Sequence, residues 1–287
     1  MSETVMSEIG AVTRAELFKL AKRPSAWVLL AAAVVLNQIF SYLIPYLSYA
    51  GGNSLDEGAT PADLLASTLP AQLIGNTIGG FPVFAGALAM VLGALATGSE
   101  YGWGTVKVQL TQRPSRAAVM TGQLMALAAA ALIGVLAQLA LGAVTSSAIA
   151  LGESRALDFP SFADLVSGTA TGWLILLMWA LLGAGLGVAL RGLALPIGLG
   201  VVWVLGVENL ISGMAGSVLS ALRPLRDLLP GVNAGSLVTA VMPARVLDPP
   251  PGVNASVSES RALLTVCCYV LVSAVVAVML TRRRDVA

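Results

Sequence analysis

Histidine is absent from the 287 residues, cysteine occurs twice, and only 11% of the chain is charged. Each scarcity excludes something. Without histidine there is no HExxH-type metal site, no Ser-His-Asp triad and no imidazole acid–base chemistry. Cys267 and Cys268 are adjacent inside an apolar run, where helical neighbours diverge by about 100° and a disulfide would be strained. They read as small packing residues. Lysine occurs at positions 19, 22 and 107, followed by Leu, Arg and Val. None completes GxxxxGK[ST], the loop whose amides and lysine cradle phosphate. The acids form no pair at membrane depth suited to glycosidase-like or aspartyl-protease-like work. No metal site, cofactor site or catalytic set is therefore expected in this chain. No basic cluster is large enough for nucleic acid.

What fills the chain is hydrocarbon. It is 57% hydrophobic, with a mean hydropathy of +0.85. A soluble domain usually carries about 25% charged residues, so this composition describes an integral membrane protein. A bilayer core needs about 20 apolar residues per helix. Six segments qualify: 25–47, 73–98, 118–151, 168–190, 193–211 and 262–280. The third is long enough to tilt or to extend beyond the bilayer. Only Arg191-Gly192 separates the fourth from the fifth, which implies a tight hairpin. The expected fold is one all-α transmembrane domain over 1–287.

Six spans put both termini on one side, and basic residues choose which side. Arg14, Lys19, Lys22, Arg23, Lys107, Arg113, Arg116, Arg191 and Arg282–Arg284 lie on the faces that hold the termini. Arg155, Arg223, Arg226, Arg245 and Arg261 lie on the opposite faces. The asymmetry places both termini in the cytoplasm. Trp27 at the inner end of the first span, with Tyr42, Tyr46 and Tyr49 at its outer end, reads as an aromatic belt. Residues 1–24 carry Leu17, Leu20 and Phe18 among Arg14, Glu16, Lys19, Lys22 and Arg23, the pattern of a cytoplasmic interfacial helix that turns into the first span at Pro24.

The long outer loop, 212–261, holds six of the fourteen prolines. Its first part spaces Ile211, Met214, Val218, Leu222, Leu225 and Leu229 by three or four, an amphipathic helix broken at Pro224 that lies in or dips into the outer leaflet. The later LDPPPGVNAS reads as an extended linker. Few polar groups lie at membrane depth: Asn37, Gln38 and Ser41 in the first span, Gln138 in the third, and Glu208 with Asn209 in the fifth. Such groups are costly in lipid and face a bundle interior or a wet cavity. Asn37, Gln38, Ser41, Glu208 and Asn209 are the candidates for a substrate path. Interhelical hydrogen bonding and helix capping are the competing roles. Gly75xxxGly79 and Gly183xxxGly187 permit close helix approach.

Between the second and third spans lies EYGWGTVKVQLTQRPSR, residues 100–116, too apolar for a plain loop and too basic for a span. A short helix docking on a protein partner explains it better than a solvated connector. With ELFKLAKRPSAWVLL before the first span and GQLMAL opening the third, the stretch SEYGWGTVKVQLTQRPSR resembles the permease subunits of ABC transporters of the type-2 exporter family. The resemblance rests on Glu100, Gly104, Thr105, Val106, Leu110, Arg113 and Arg116, and in topology it covers nearly the whole chain. Gln123 stands where the family usually has lysine.

The resemblance implies a transporter subunit in a bacterial cytoplasmic membrane. The 99–117 segment would be a coupling helix gripping a separate cytoplasmic ATPase that binds ATP and Mg2+, with Glu100, Tyr101, Trp103, Gly104, Thr105, Arg113 and Arg116 at the contact. Glu16, Lys19, Lys22 and Arg23 would belong to a connecting helix. The last outer loop would hold paired re-entrant helices, and two permease copies would enclose a pathway for a hydrophobic or amphiphilic substrate. The alternative reading is a self-sufficient secondary transporter or channel using Glu208.

Overall fold

The computed structural model describes residues 2–52, 59–102, 115–217, 219–243 and 247–283. All regular structure among these residues is helical. Six helices are long and apolar enough to cross a membrane: α2 (Pro24–Gly51), α4 (Pro70–Glu100), α5 (Arg116–Gly152), α6 (Phe162–Leu190), α7 (Ala194–Ala215) and α9 (Glu259–Arg283). They are joined by α1 (Ser2–Lys22), α3 (Pro61–Thr68) and α8 (Pro230–Val241). This is an all-α, multi-pass membrane protein. The six helices overlap the six expected spans, with ends that differ by at most six residues.

Local chemistry marks several helix ends. Arg23 is extended, and Pro24, which has no amide hydrogen to leave unpaired, takes the first turn of α2. Ser115 and Ser161 cap α5 and α6 by accepting from the amides of Ala118 (3.3 Å) and Asp164 (3.2 Å). Thr60 and Asp63 form a reciprocal capping box on α3. Arg191 ends α6 in the left-handed conformation (φ 51°), which makes the expected hairpin into α7.

The core is the α4–α6 pair, the most extensive helix contact in the molecule. Its closeness depends on glycine. A Cβ on Gly93 would collide with the Ala180 carbonyl, and one on Gly183 with the Met90 carbonyl. The two backbones thus approach through reciprocal gaps. Thr97 Oγ1 donates across the seam to Ala184 O (3.0 Å). Trp179 is fully buried beside Gly86, within a cluster that includes Ile78, Phe81, Ile175, Met178, Val238 and Val266.

α5 has 37 residues, about 55 Å at 1.5 Å per residue, well beyond a 30 Å hydrocarbon core. The excess has a use. α1 packs extensively on α5, with Val12 set against Gly122 so closely that a Cβ there would meet Val12 Cγ1 at 2.5 Å. α1 is therefore bound to protein along one face and not simply laid on a surface.

Two features depart from the sequence reading. Tyr42 is buried, its hydroxyl against Gly142, so it is not a belt residue. Between the first two spans α3 buries Leu64 and Leu65. Between the fifth and sixth spans α7 runs on to Ala215, and a short turn at Arg223–Arg226 replaces a longer amphipathic helix. The buried helix there is α8, whose residues Pro230–Val238 are buried. The linker lies close against it: a Cβ on Gly235 would strike the Gly252 carbonyl, and Gly252 itself has φ +83°.

Candidate functional site

Two places gather the polar groups of this apolar chain. The first is at the end of α4 nearest the chain termini. Glu100 is 4% exposed. Its Oε1 lies 3.2 Å from Arg23 Nη2 and 3.3 Å from Lys19 Nζ. Lys19 Nζ also donates to Glu16 Oε1 (2.8 Å), and Glu16 is buried as well. Arg23 Nη1 donates to Ser99 Oγ (3.0 Å) and Leu95 O (3.3 Å). Burying two carboxylates is tolerable because two cations and a hydroxyl surround them. The Arg23 turn makes this possible, since it delivers the last turn of α1 to the side of α4.

Glu16, Lys19, Arg23 and Glu100, expected in two separate regions, thus form one cluster. Lys22 stands outside it, with its Nζ 5.6 Å from the Phe18 ring centroid in a cation–π contact. Arg116 opens α5, half-buried. Tyr101 lies in the last turn of the helix that ends at Gly102, and its side chain is outside the described residues. Trp103, Gly104, Thr105 and Arg113 are also outside them.

The second place is a groove between α2 and the α4–α5 wall. Its half nearer α1 has a volume of about 230 Å3 and an apolar lining that includes Leu20, Trp27, Leu30, Leu92 and Leu127. Its other half is about 350 Å3 and takes in Asn37, Ser41, Ser48, Ser67, Asn76 and Asp248. Ala33, Ala85, Leu88 and Gln138 line both halves, so they meet there. Two π-turns flank the groove, Ile39–Leu43 in α2 and Phe81–Ala85 in α4. Such turns widen a helix locally and re-aim its side chains. They bring Phe40 and Phe84 into a stack with centroids 6.2 Å apart.

Of the five residues expected on a substrate path, the groove takes in Asn37 and Ser41. Ser41 Oγ donates to Asn76 O (3.1 Å). Gln38 turns to α5 and accepts from Thr145 Oγ1 (2.8 Å), the interhelical role. Glu208 is buried elsewhere: its Oε1 accepts from Trp203 Nε1 (2.7 Å) and its Oε2 from the Gly231 amide (2.8 Å). It caps the positive end of α8. Arg226 pairs with Asp227 (2.7 Å). Asn209 Nδ2 donates back to Val204 O and Leu205 O, both at 3.1 Å. Asn76, Ser67 and Asp248 were not expected in the groove. Asn76 had a visible signal, an amide within an apolar run; Asp248 had none.

At the far end of α2, Tyr46 and Tyr49 donate to the two oxygens of Glu153 (2.9 and 3.0 Å). This ties the span to the α5–α6 turn. The described residues hold no group of three or more His, Cys, Asp or Glu side chains suited to a metal ion. No model of a known protein family matches the chain, and no curated protein matches it.

Proposed function

We propose that the chain is the membrane-spanning subunit of an ABC transporter of the type-2 exporter kind. It would sit in a bacterial cytoplasmic membrane with both termini inside and carry a hydrophobic or amphiphilic substrate outward. The lysine and arginine asymmetry supports that orientation. The absence of a P-loop from the sequence supports a separate motor: a cytoplasmic ATPase that holds ATP and Mg2+ and docks on residues 100–116. A second copy of the permease, identical or related, completes the pathway.

The observation that carries the reading is the buried cluster of Glu16, Lys19, Arg23 and Glu100. It joins α1 to α4 at the end of α4, directly before residues 101–117 in sequence. A push on that segment would move α4 and, through the ion pairs, α1 with the α2 that follows it. Rigid coupling of this kind converts a partner's closure into helix movement. Glu100 then serves inside the chain to hold the lever together, and Arg113 is the better test of a grip on the partner.

The test is co-purification with the ATPases encoded beside the gene and measurement of ATP turnover in liposomes. R113E should lose the ATPase or uncouple it while the thermal unfolding of the chain is unchanged. ATP-independent transport by this chain alone would overturn the reading in favour of a secondary transporter.

A further inference from the structure

The groove between α2 and α4–α5 differs along its length in chemistry. Toward α1 its walls are aliphatic, with the Trp27 ring among them. An apolar cavity of about 150 Å3 already stays dry and takes up small hydrocarbons, and this half is larger, at about 230 Å3. The other half, about 350 Å3, falls in the range of small-ligand sites, roughly 300–1,000 Å3. It is edged by amides and hydroxyls. Where the halves meet stands Gln138, 2% exposed and lining both. In the polar half the Asn37 Nδ2 amide is buried with no hydrogen-bond partner among the described residues. A buried amide left in this way wants a polar atom from whatever fills the groove.

Charge narrows the occupant. Among the described lining residues of both halves, the one ionisable side chain is that of Asp248, at the polar mouth. Asp248 is exposed. No described lysine or arginine lines the groove, so an anionic head group would find no counter-charge there and would meet a carboxylate.

We propose that this groove is a binding site, within each chain, for a single-chain amphiphile with a cationic head group. The hydrocarbon chain lies against Trp27, Leu30 and Leu92. The junction at Gln138 accommodates the first polar atoms. The head sits near Asn37 and Ser41 and faces Asp248. In this pose the head points to the end of the bundle opposite the termini, with the tail behind it. The proposal deepens the transport reading and rests on it for treating the ligand as cargo. Binding itself is measurable without ATP or a partner.

The experiment uses the full chain in nanodiscs of zwitterionic phospholipid, with empty discs as background. Radiolabelled dodecyltrimethylammonium and dodecyl sulfate are added below their micelle concentrations, and retention is measured. The wild type should hold the cation at least about fivefold more tightly than the anion, the worth of about 1 kcal/mol for one charge pair in water. D248N, at an exposed position, should erase that preference. A33F, which fills the junction, should cut retention of both probes while thermal unfolding stays in place. Equal retention of the two probes, tighter retention of the anion, or A33F retention equal to wild type would each overturn the proposal. A chain that binds as stated but never couples to an ATPase would instead overturn the transport reading alone.

Discussion

Arg23 Nη2 lies 3.2 Å from Glu100 Oε1, a contact between residues 77 apart in sequence. It joins the turn between α1 and α2 to the end of α4. Removing one partner of a buried pair leaves a charge stranded, which costs more than the pair itself contributes. E100A should destabilise the chain by about 3 kcal/mol, read as a drop in unfolding temperature in detergent. E100A combined with loss of its arginine partner, in R23A/E100A, should recover part of that loss, because Lys19 stays paired with Glu16. A double variant less stable than E100A by the full cost of R23A would show that the two charges act separately.

Glu208 meets two neutral donors, the Trp203 indole and the Gly231 amide. E208A strips both at once and leaves the buried Gly231 amide unpaired, at about 1–3 kcal/mol. The first turn of α8 should open, so faster hydrogen exchange is expected at Gly231–Asn233. E208Q keeps an acceptor oxygen for one donor and should fall between E208A and the wild type. If E208Q abolishes transport while α8 stays protected, the carboxylate has a role beyond capping.

Gly93 and Gly185 give a matched pair on two packed helices. At Gly93 a Cβ meets the Ala180 backbone, whereas at Gly185 it meets nothing within 4 Å. Backbone cannot yield as a side chain can. G93A should cost roughly 1–3 kcal/mol, the usual penalty of overpacking. G185A should be neutral or stabilising by up to about 1 kcal/mol, from helix propensity. Thermal unfolding of the two variants side by side reads the difference.

Asp63 lies outside the spans, at the N-terminus of α3. The Thr60 hydroxyl and then the Thr60 amide donate to its carboxylate and hold it below the usual carboxylate range. A carboxyl depressed in the folded state contributes stability above its unfolded value, near pH 4. That contribution is lost as pH falls through the lower, folded value. The α3 amides should therefore exchange faster below about pH 4 in the wild type. D63N should flatten that dependence, and an unchanged profile in D63N would place the titrating group elsewhere.

Much of this architecture is legible in the order of residues. Hydropathy adds up over a window, so 73–98 and 168–190 announce spans whatever they later touch. Arg191-Gly192 announces the hairpin because two residues leave room for nothing longer. Pro24 announces a helix start because its ring sets φ. These are properties of segments, and a segment carries them alone.

The partners of polar groups are not of that kind. Glu100 and Arg23 each suggest a surface charge when read locally, and only the folding of α1 back onto α4 and α5 buries them together. Gln38 and Ser41 sit three apart on one helix, yet one faces α5 and the other the groove, because the π-turn at Ile39–Leu43 rotates the helix between them. α8 has neither the length nor the amphipathy of a span. It is buried because α6, α9 and the 247–253 linker enclose it. Its N-terminus then needs the carboxylate that α7 supplies. The chain by itself determined where apolar helices begin and end, since water and lipid sort residues by local composition. The tertiary structure alone decided which few polar groups are shared between helices and which face open space, because in an apolar interior each must be answered by a neighbour distant in sequence.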